Sequence, residues 1–209
     1  YTSNLKRTHQ TAEAIIDAQR KTLDLVADLA EHAAVPPPLI NLGGGFGLPY
    51  FPGDQPLDLA AVGQALGKAV AARDPILAET RFVVELGRYL VGESGVYLTR
   101  AIDRKMSQDE VFIITDGGLH HQLAASGNFG TVIRRNYPLV NASRFGAADA
   151  ESLNVVGCLC TPLDRLGDKV MLPATEVGDV IAVFMAGAYG LTASPTAFLS
   201  HDPPAEMLA

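Results

Sequence analysis

Three consecutive prolines, Pro36-Pro37-Pro38, run into the short apolar stretch Leu39-Ile40-Asn41-Leu42 and then into Gly43-Gly44-Gly45-Phe46-Gly47. No other segment restricts the fold of this chain as much. Prolines lack an N–H and push the preceding residue out of the α region, so any helix arriving here must stop. The apolar stretch beyond them is extended, and the glycines end it in a turn open to backbone conformations that side chains forbid. On both sides the pattern is helical. Upstream, Ile15, Ile16, Leu23, Val26, Leu29 and Ala33 recur at helical spacing. Thr11 is the expected N-cap, and Glu13 falls in the first turn, where a carboxylate meets the positive end of the helix dipole. Downstream, Leu59, Val62, Leu66, Ala69 and Val70 mark one face of a second helix over 57–73. Arg81-Phe82-Val83-Val84 then reads as a buried strand ending at Glu85. Helix, strand, glycine loop, helix, strand is the rhythm of a parallel α/β layer.

Past Gly92 the rhythm changes. Strand-like runs cover 96–100, 111–115, 131–135, 153–156 and 177–185, separated by turn residues and without a helical stripe. The expectation is an α/β segment over 1–92 followed by an all-β domain over 93–209. The stretch 137–151, with Pro138, Asn141, Ser143, Gly146 and Asp149, is expected to be a surface loop. No internal repeat is visible. With 209 residues, 48% hydrophobic, the chain can bury a substantial core. Two cysteines exclude a disulfide scaffold, and a net charge of −7 argues against a nucleic-acid surface. The Arg134-Arg135 pair is too short to reverse that. The apolar stretch 180–193, broken by Gly187 and Gly190, is shorter than the ~20 residues a bilayer span requires, so it is expected in the core rather than in a membrane. The opening residues 1–7 are polar with no signal-peptide core, which makes the cytoplasm the expected location.

Several residues carry possible chemistry. The glycine loop lets backbone N–H groups approach an anion, so it is either a phosphate-binding turn or simply a tight exit from a strand. It is neither a dinucleotide fingerprint, since Leu48 stands where the last glycine belongs, nor a Walker loop, since no Gly-Lys-Ser/Thr follows. Glu85 and Arg88 straddle Gly87 and would either bind two parts of one ligand or form a surface ion pair. Cys158 and Cys160 are too few and too close for a structural zinc site. Each is a buried small residue or a thiol placed as an acid or base. His120 and His121 follow Asp116-Gly117-Gly118; on a strand they would face opposite sides and not share an ion. No metal is expected. Tyr189, between small residues, reads as a core tyrosine.

The order of these signals is more specific than any one of them. Asn41-Leu-Gly-Gly-Gly-Phe-Gly, Glu85-x-Gly-Arg88, Asp116-Gly-Gly, Gly157-x-x-Cys160-x-x-x-Asp164 and Gly187-Ala-Tyr189 together resemble the pyridoxal-phosphate-dependent decarboxylases of the ornithine and diaminopimelate type. The strings Asp116-Gly-Gly-Leu-His-His-Gln-Leu and Cys160-Thr-Pro-Leu-Asp-Arg-Leu-Gly look closest to a branch associated with exosortase and exopolysaccharide clusters. The resemblance implies the end of an alanine-racemase-like TIM barrel followed by a C-terminal β-barrel or sandwich domain. It implies pyridoxal 5'-phosphate as cofactor, an amino acid as substrate and a homodimer with shared active sites. Gly43, Gly44 and Gly45 would meet the cofactor phosphate, with Arg88, Ser3 and Tyr189 adding contacts. Glu85 would face the pyridine nitrogen and keep it protonated, which favours a decarboxylase over a racemase. Cys160, contributed across the dimer interface, would protonate the product carbanion. Asp116, Thr161 and Asp164 would lie on the substrate side.

The departures from the family pattern are as telling. Thr161 stands where an acidic residue holds a distal ammonium group, and Ala124 where diaminopimelate decarboxylases hold a distal carboxylate with arginine. Leu86 and Cys158 replace family prolines. Neither ornithine nor diaminopimelate is therefore the expected substrate. The family's Schiff-base lysine belongs to the first barrel strand, and none of Lys6, Lys21, Lys68, Lys105 or Lys169 lies in such a motif. Two barrel strands are too few to close a barrel. The chain is thus expected to be the C-terminal half of a longer decarboxylase; a non-catalytic binding or dimerisation module of the same fold is the alternative.

Overall fold

A computed structural model of the chain describes residues 4–51, 53–127 and 135–209, with side chains from residue 13 onward. The chain divides into two compact units, 1–90 and 91–209.

In the first unit, helix α1 (Asn4–Ala30) begins earlier than its pattern suggests, so Thr11 lies inside the helix instead of capping it. Its buried side chains recur at helical spacing. Ile15 packs with Phe46, Leu57 and Val62, while Leu23 and Ala30 pack with Ile40, Leu42 and Leu77. The prolines then stop helical structure, as their chemistry requires. Having no N–H to give, they serve as acceptors: Arg81 N donates to the Pro38 carbonyl at 3.1 Å and Thr80 Oγ1 to the Pro37 carbonyl at 2.7 Å. These bonds start the parallel pairing of β1 (Leu39–Asn41) with β2 (Arg81–Val83), Ile40 opposite Phe82. Helix α2 (Leu59–Ala71) joins them, its first turn capped by Asp58, which accepts from Ala61 N at 2.9 Å. A short helix α3 (Gly87–Val91) lies after β2. The described residues of this unit hold two parallel strands, and a closed TIM barrel is not part of this chain.

Among the described residues the second unit forms a six-stranded sheet. Its strands are β3 (Tyr97–Ser107), β4 (Glu110–Thr115), β5 (Leu139–Asn141), β6 (Ala150–Val156), β7 (Arg165–Pro173) and β8 (Val180–Val183). They lie in the order β5-β8-β3-β4-β6-β7, antiparallel except for β4 with β6. Alternation along β3 turns Tyr97, Thr99 and Ala101 inward, where Tyr97 and Ala101 join Ile113, Leu153, Leu166, Ile181 and Val183 in the core.

The sheet curls until its edge strands nearly meet. Leu139 on β5 packs on Gly167 of β7. Just ahead of β5, Asn136 donates through Nδ2 to the Asp168 carbonyl (2.7 Å) and accepts from Asp168 N (2.8 Å). One side-chain amide thus replaces a rung of the missing ladder and covers an otherwise open edge.

Sequence pattern and structure differ in two places here. The 137–151 stretch contains β5 and the start of β6, so it is not a loop. The pattern offers no strand over 165–173, yet β7 is nine residues long. Its alternation is interrupted where Lys169 takes a positive φ of 48° and buried Asn154 fills the irregular register, accepting from Lys169 N at 3.1 Å. The expected strand over 131–135 falls outside the described residues except for Arg135, which belongs to no regular element.

Replacing Asn136 with alanine leaves the Asp168 N–H and carbonyl without partners at the sheet closure. Equilibrium denaturation should show a loss of about 1–3 kcal/mol, and an unchanged unfolding midpoint would remove Asn136 from the account of how the sheet closes.

Candidate functional site

The glycine loop continues the parallel ladder past the ends of β1 and β2. Leu42 N donates to the Val83 carbonyl and Glu85 N to the Gly43 carbonyl, each at 2.9 Å. Each of the three glycines is needed for its own reason. Gly43 (φ 78°) and Gly45 (φ 83°) take left-handed conformations. A Cβ on Gly44 would collide with the Glu85 carbonyl oxygen. Asn41 organises the loop from beneath: its Oδ1 accepts from Gly43 N at 2.8 Å and its Nδ2 donates to Glu85 Oε2 at 3.0 Å. One amide side chain therefore fixes the loop and orients the Glu85 carboxylate. The N–H groups of Gly44 and Gly45 have no acceptor among the described residues, which leaves two adjacent donors for an anion. Arg88 stacks its guanidinium 5.7 Å from the centre of the Tyr50 ring. Ser3 lies outside the described residues.

In the second unit two of the sequence-predicted segments, 116–122 and 157–164, meet at Asp164. This aspartate is 3% exposed, accepting from Leu119 N through Oδ1 at 2.6 Å and from Leu159 N through Oδ2 at 2.9 Å. Gly118 and Gly157 press against the carboxylate so closely that neither has room for a Cβ. Asp164 thereby ties the 116–122 turn to the 157–164 loop. Asp116 has its own fixed partners: Oδ1 accepts from Thr99 Oγ1 (2.7 Å) and Arg100 N (2.9 Å). Thr161 Oγ1 accepts from Leu163 N within the same loop. The two thiols diverge, with Cys160 exposed and Cys158 half-buried. Burial, reinforced by the Asp164 charge, pushes the Cys158 thiol up. Ala124 is buried in a tight turn over Leu123–Ser126. Tyr189 is 45% exposed rather than a core residue, and takes a left-handed φ of 55° between Gly187 and Gly190, glycines with no space for a side chain.

The histidines are not on a strand. His120 and His121 sit in a turn with ring centres 3.9 Å apart. His121 is held at both nitrogens, Nδ1 by the Tyr97 hydroxyl (3.1 Å) and Nε2 by the Asp202 carbonyl (2.9 Å). His120 is fully buried with neither nitrogen bonded among the described residues, and burial, followed by the charge of His121, holds its imidazole below the ordinary value. Sequence patterning singles out neither Asn41 as the organiser of the glycine loop nor His201, which reaches this turn from far along the chain.

Two substitutions test the geometry. Gly44→Ala must displace the Glu85 backbone and should cost at least about 1–3 kcal/mol of stability, the usual result of forcing added atoms into a packed site. Asp164→Ala leaves two buried N–H groups unpaired and should cost more, about 2–5 kcal/mol. A tolerated Asp164→Ala in thermal denaturation would contradict the tie between the two loops.

Residues 13–187 match the family described as "Pyridoxal-dependent decarboxylase, C-terminal sheet domain". The chain is 41% identical over 200 residues to the L-glutamyl-[BtrI acyl-carrier protein] decarboxylase of Niallia circulans, a match covering 94% of this chain and 46% of that protein. It is 29% identical over 202 residues to the diaminopimelate decarboxylase of Methanothermobacter thermautotrophicus, covering 94% and 45%. The fold also superposes on the crystal structure of the M. jannaschii diaminopimelate decarboxylase in complex with L-lysine, with a TM-score of 0.78 and 24% identity, over 92% of this chain and 42% of that one. The chain spans about half the length of the curated relatives it matches. Motif order, sheet architecture and matched span agree: the chain belongs to the pyridoxal-dependent ornithine/diaminopimelate/arginine decarboxylase family and carries its C-terminal sheet domain.

Proposed function

We propose that this chain is the C-terminal half of a pyridoxal-phosphate-dependent enzyme that removes the α-carboxylate of an amino acid, working in the cytoplasm as a homodimer with shared active sites. One observation carries the reading. A glycine loop with two unpartnered N–H donors and a carboxylate aimed by the same asparagine stand at the end of one parallel ladder. That donor set suits a phosphorylated, nitrogen-protonated ring. On this reading the 1–92 segment supplies the last strands of the barrel that holds the cofactor.

When bound, the cofactor supplies an electron sink for the pair left by departing carbon dioxide. This chain's residues do the rest. Gly43 shapes the loop, Gly44 and Gly45 donate to the phosphate, Arg88 adds a positive charge, and Ser3 and Tyr189 contribute hydroxyls. Glu85, held at Oε2 by Asn41, keeps the proton on the ring nitrogen. Cys160, whose exposure suits a group presented across an interface, delivers a proton from Sγ to the α-carbon of the product. Asp164 and Asp116 position the loops on the substrate side.

The distal end of the substrate is uncharged. Thr161 and Ala124 replace the groups that would hold a distal ammonium or carboxylate. The Niallia relative, named for a glutamyl group on an acyl-carrier protein, supports a substrate whose distal carboxylate is masked. The strings 116–123 and 160–167 support placement in the exosortase-associated, exopolysaccharide branch.

In the full-length enzyme, borohydride reduction should leave a pyridoxyl adduct. Cys160→Ala should lower kcat about 10²–10⁴-fold, the usual contribution of a positioned general acid. Glu85→Gln should lower it comparably without preventing the adduct. A full-length protein with no adduct and no carbon dioxide release from any amino acid supplied would make this a binding module of the same fold. Preferred release from diaminopimelate or ornithine would overturn the masked-substrate reading alone.

A further inference from the structure

We propose that His120, Cys158 and His201 form a binding site for zinc or a similar divalent ion that prefers nitrogen and sulfur ligands. Each offers one ligand atom, and the three atoms lie within 4.8 Å of one another. Cys158 Sγ is 3.9 Å from His201 Nδ1, and the rings of His120 and His201 are centred 5.1 Å apart. A tetrahedral zinc with bonds of about 2.3 Å to sulfur and about 2.0 Å to nitrogen needs its donors roughly 3.3–3.6 Å apart. Small side-chain rotations close that difference.

Three further observations point to an ion. His120 is fully buried and neither of its nitrogens has a partner among the described residues, a costly arrangement that a metal bond relieves. The other groups nearby are already committed. His121 is bonded at both nitrogens, and the two Asp164 oxygens take the Leu119 and Leu159 N–H groups. That leaves one imidazole from the turn, one thiol from the loop and one imidazole from the C-terminal segment. Finally, His201 is presented by two successive non-glycine residues in left-handed conformation, Leu199 (φ 55°) and Ser200 (φ 60°). Such backbone persists where something over-determines it, and a metal bond at His201 would do so.

The donor set selects the ion. One thiolate and two neutral imidazoles suit zinc, whereas magnesium and calcium require oxygen. The Cys158 thiol lies 3.5 Å from the Asp116 carbonyl; on binding, its proton passes to solvent and the thiolate takes the metal. Cys158 and His201 are partly exposed, so the fourth position is open to water or a small ligand. The site is independent of the pyridoxal reading, since it uses none of the residues assigned to the cofactor.

The test uses tag-free, full-length protein, stripped with a chelator, reloaded with Zn²⁺ or Co²⁺ and desalted. Wild type should retain about one ion per chain. The Co²⁺ form should show thiolate-to-metal charge-transfer absorption. Cys158→Ser should abolish that band, and His201→Ala should lower retention at least tenfold, while His32→Ala, on an exposed histidine elsewhere, should leave both unchanged. Circular dichroism confirms that the variants are folded, and should Cys158→Ser unfold, the absorption of wild-type Co²⁺ protein decides by itself. Retention that is negligible in wild type, or equal in Cys158→Ser and His201→Ala to that of wild type, or Co²⁺ bound without the thiolate band, would overturn the site.

Discussion

The Asp164 carboxylate is the contact on which the second unit's functional end depends. Two loops from different strand connections meet there, and each gives it a backbone N–H. A buried carboxylate is tolerated only when its lone pairs are satisfied, and here backbone donors serve in place of a cation. Gly118 and Gly157 let the two backbones close around it. Four side chains of chemical interest hang from that joint: Cys158 and Cys160 on one loop, His120 and His121 on the other turn. Since the donors are backbone groups, the joint constrains where the loops run while leaving their side chains available.

Side-chain amides do comparable work elsewhere. Asn41 bonds Gly43 and Glu85, Asn136 bridges the sheet opening at Asp168, and Asn154 fills the irregular register between β6 and β7. In each place the regular ladder cannot supply a partner, through a glycine turn, an unpaired edge or a bulge. An amide carries both a donor and an acceptor, so it can stand in for a peptide unit, which a carboxylate or ammonium cannot.

These substitutions of side chain for backbone explain which parts of the molecule are legible in the sequence. The first unit obeys local rules. Prolines must stop a helix, leucines and valines at helical spacing must face a core, and Asn41-x-Gly-Gly-Gly announces a loop because its glycines are individually required. Strands β3, β4 and β6 show apolar runs that fit a half-buried sheet. Strands β5 and β7 do not, because Asn136 just ahead of β5, Asn141 at its end and Lys169 within β7 break the alternation where side chains take over the pairing. A pattern reading treats those polar residues as loop. The histidine turn is hidden for a different reason: Asp164, a long-range contact, pulls 116–122 out of the strand its neighbours would continue.

The two cysteines show how such a fold divides chemically identical side chains. Cys158 and Cys160 sit two positions apart on the same loop, but the Asp164 joint turns Cys158 toward the buried histidine turn and leaves Cys160 exposed. Burial raises the proton affinity of Cys158, and any role it has as a thiolate therefore requires a cation to replace the proton. Cys160 is exposed and open to whatever is brought to the surface of its loop. One aspartate accordingly gives two thiols on the same loop different surroundings, one half-buried against histidine and one facing outward.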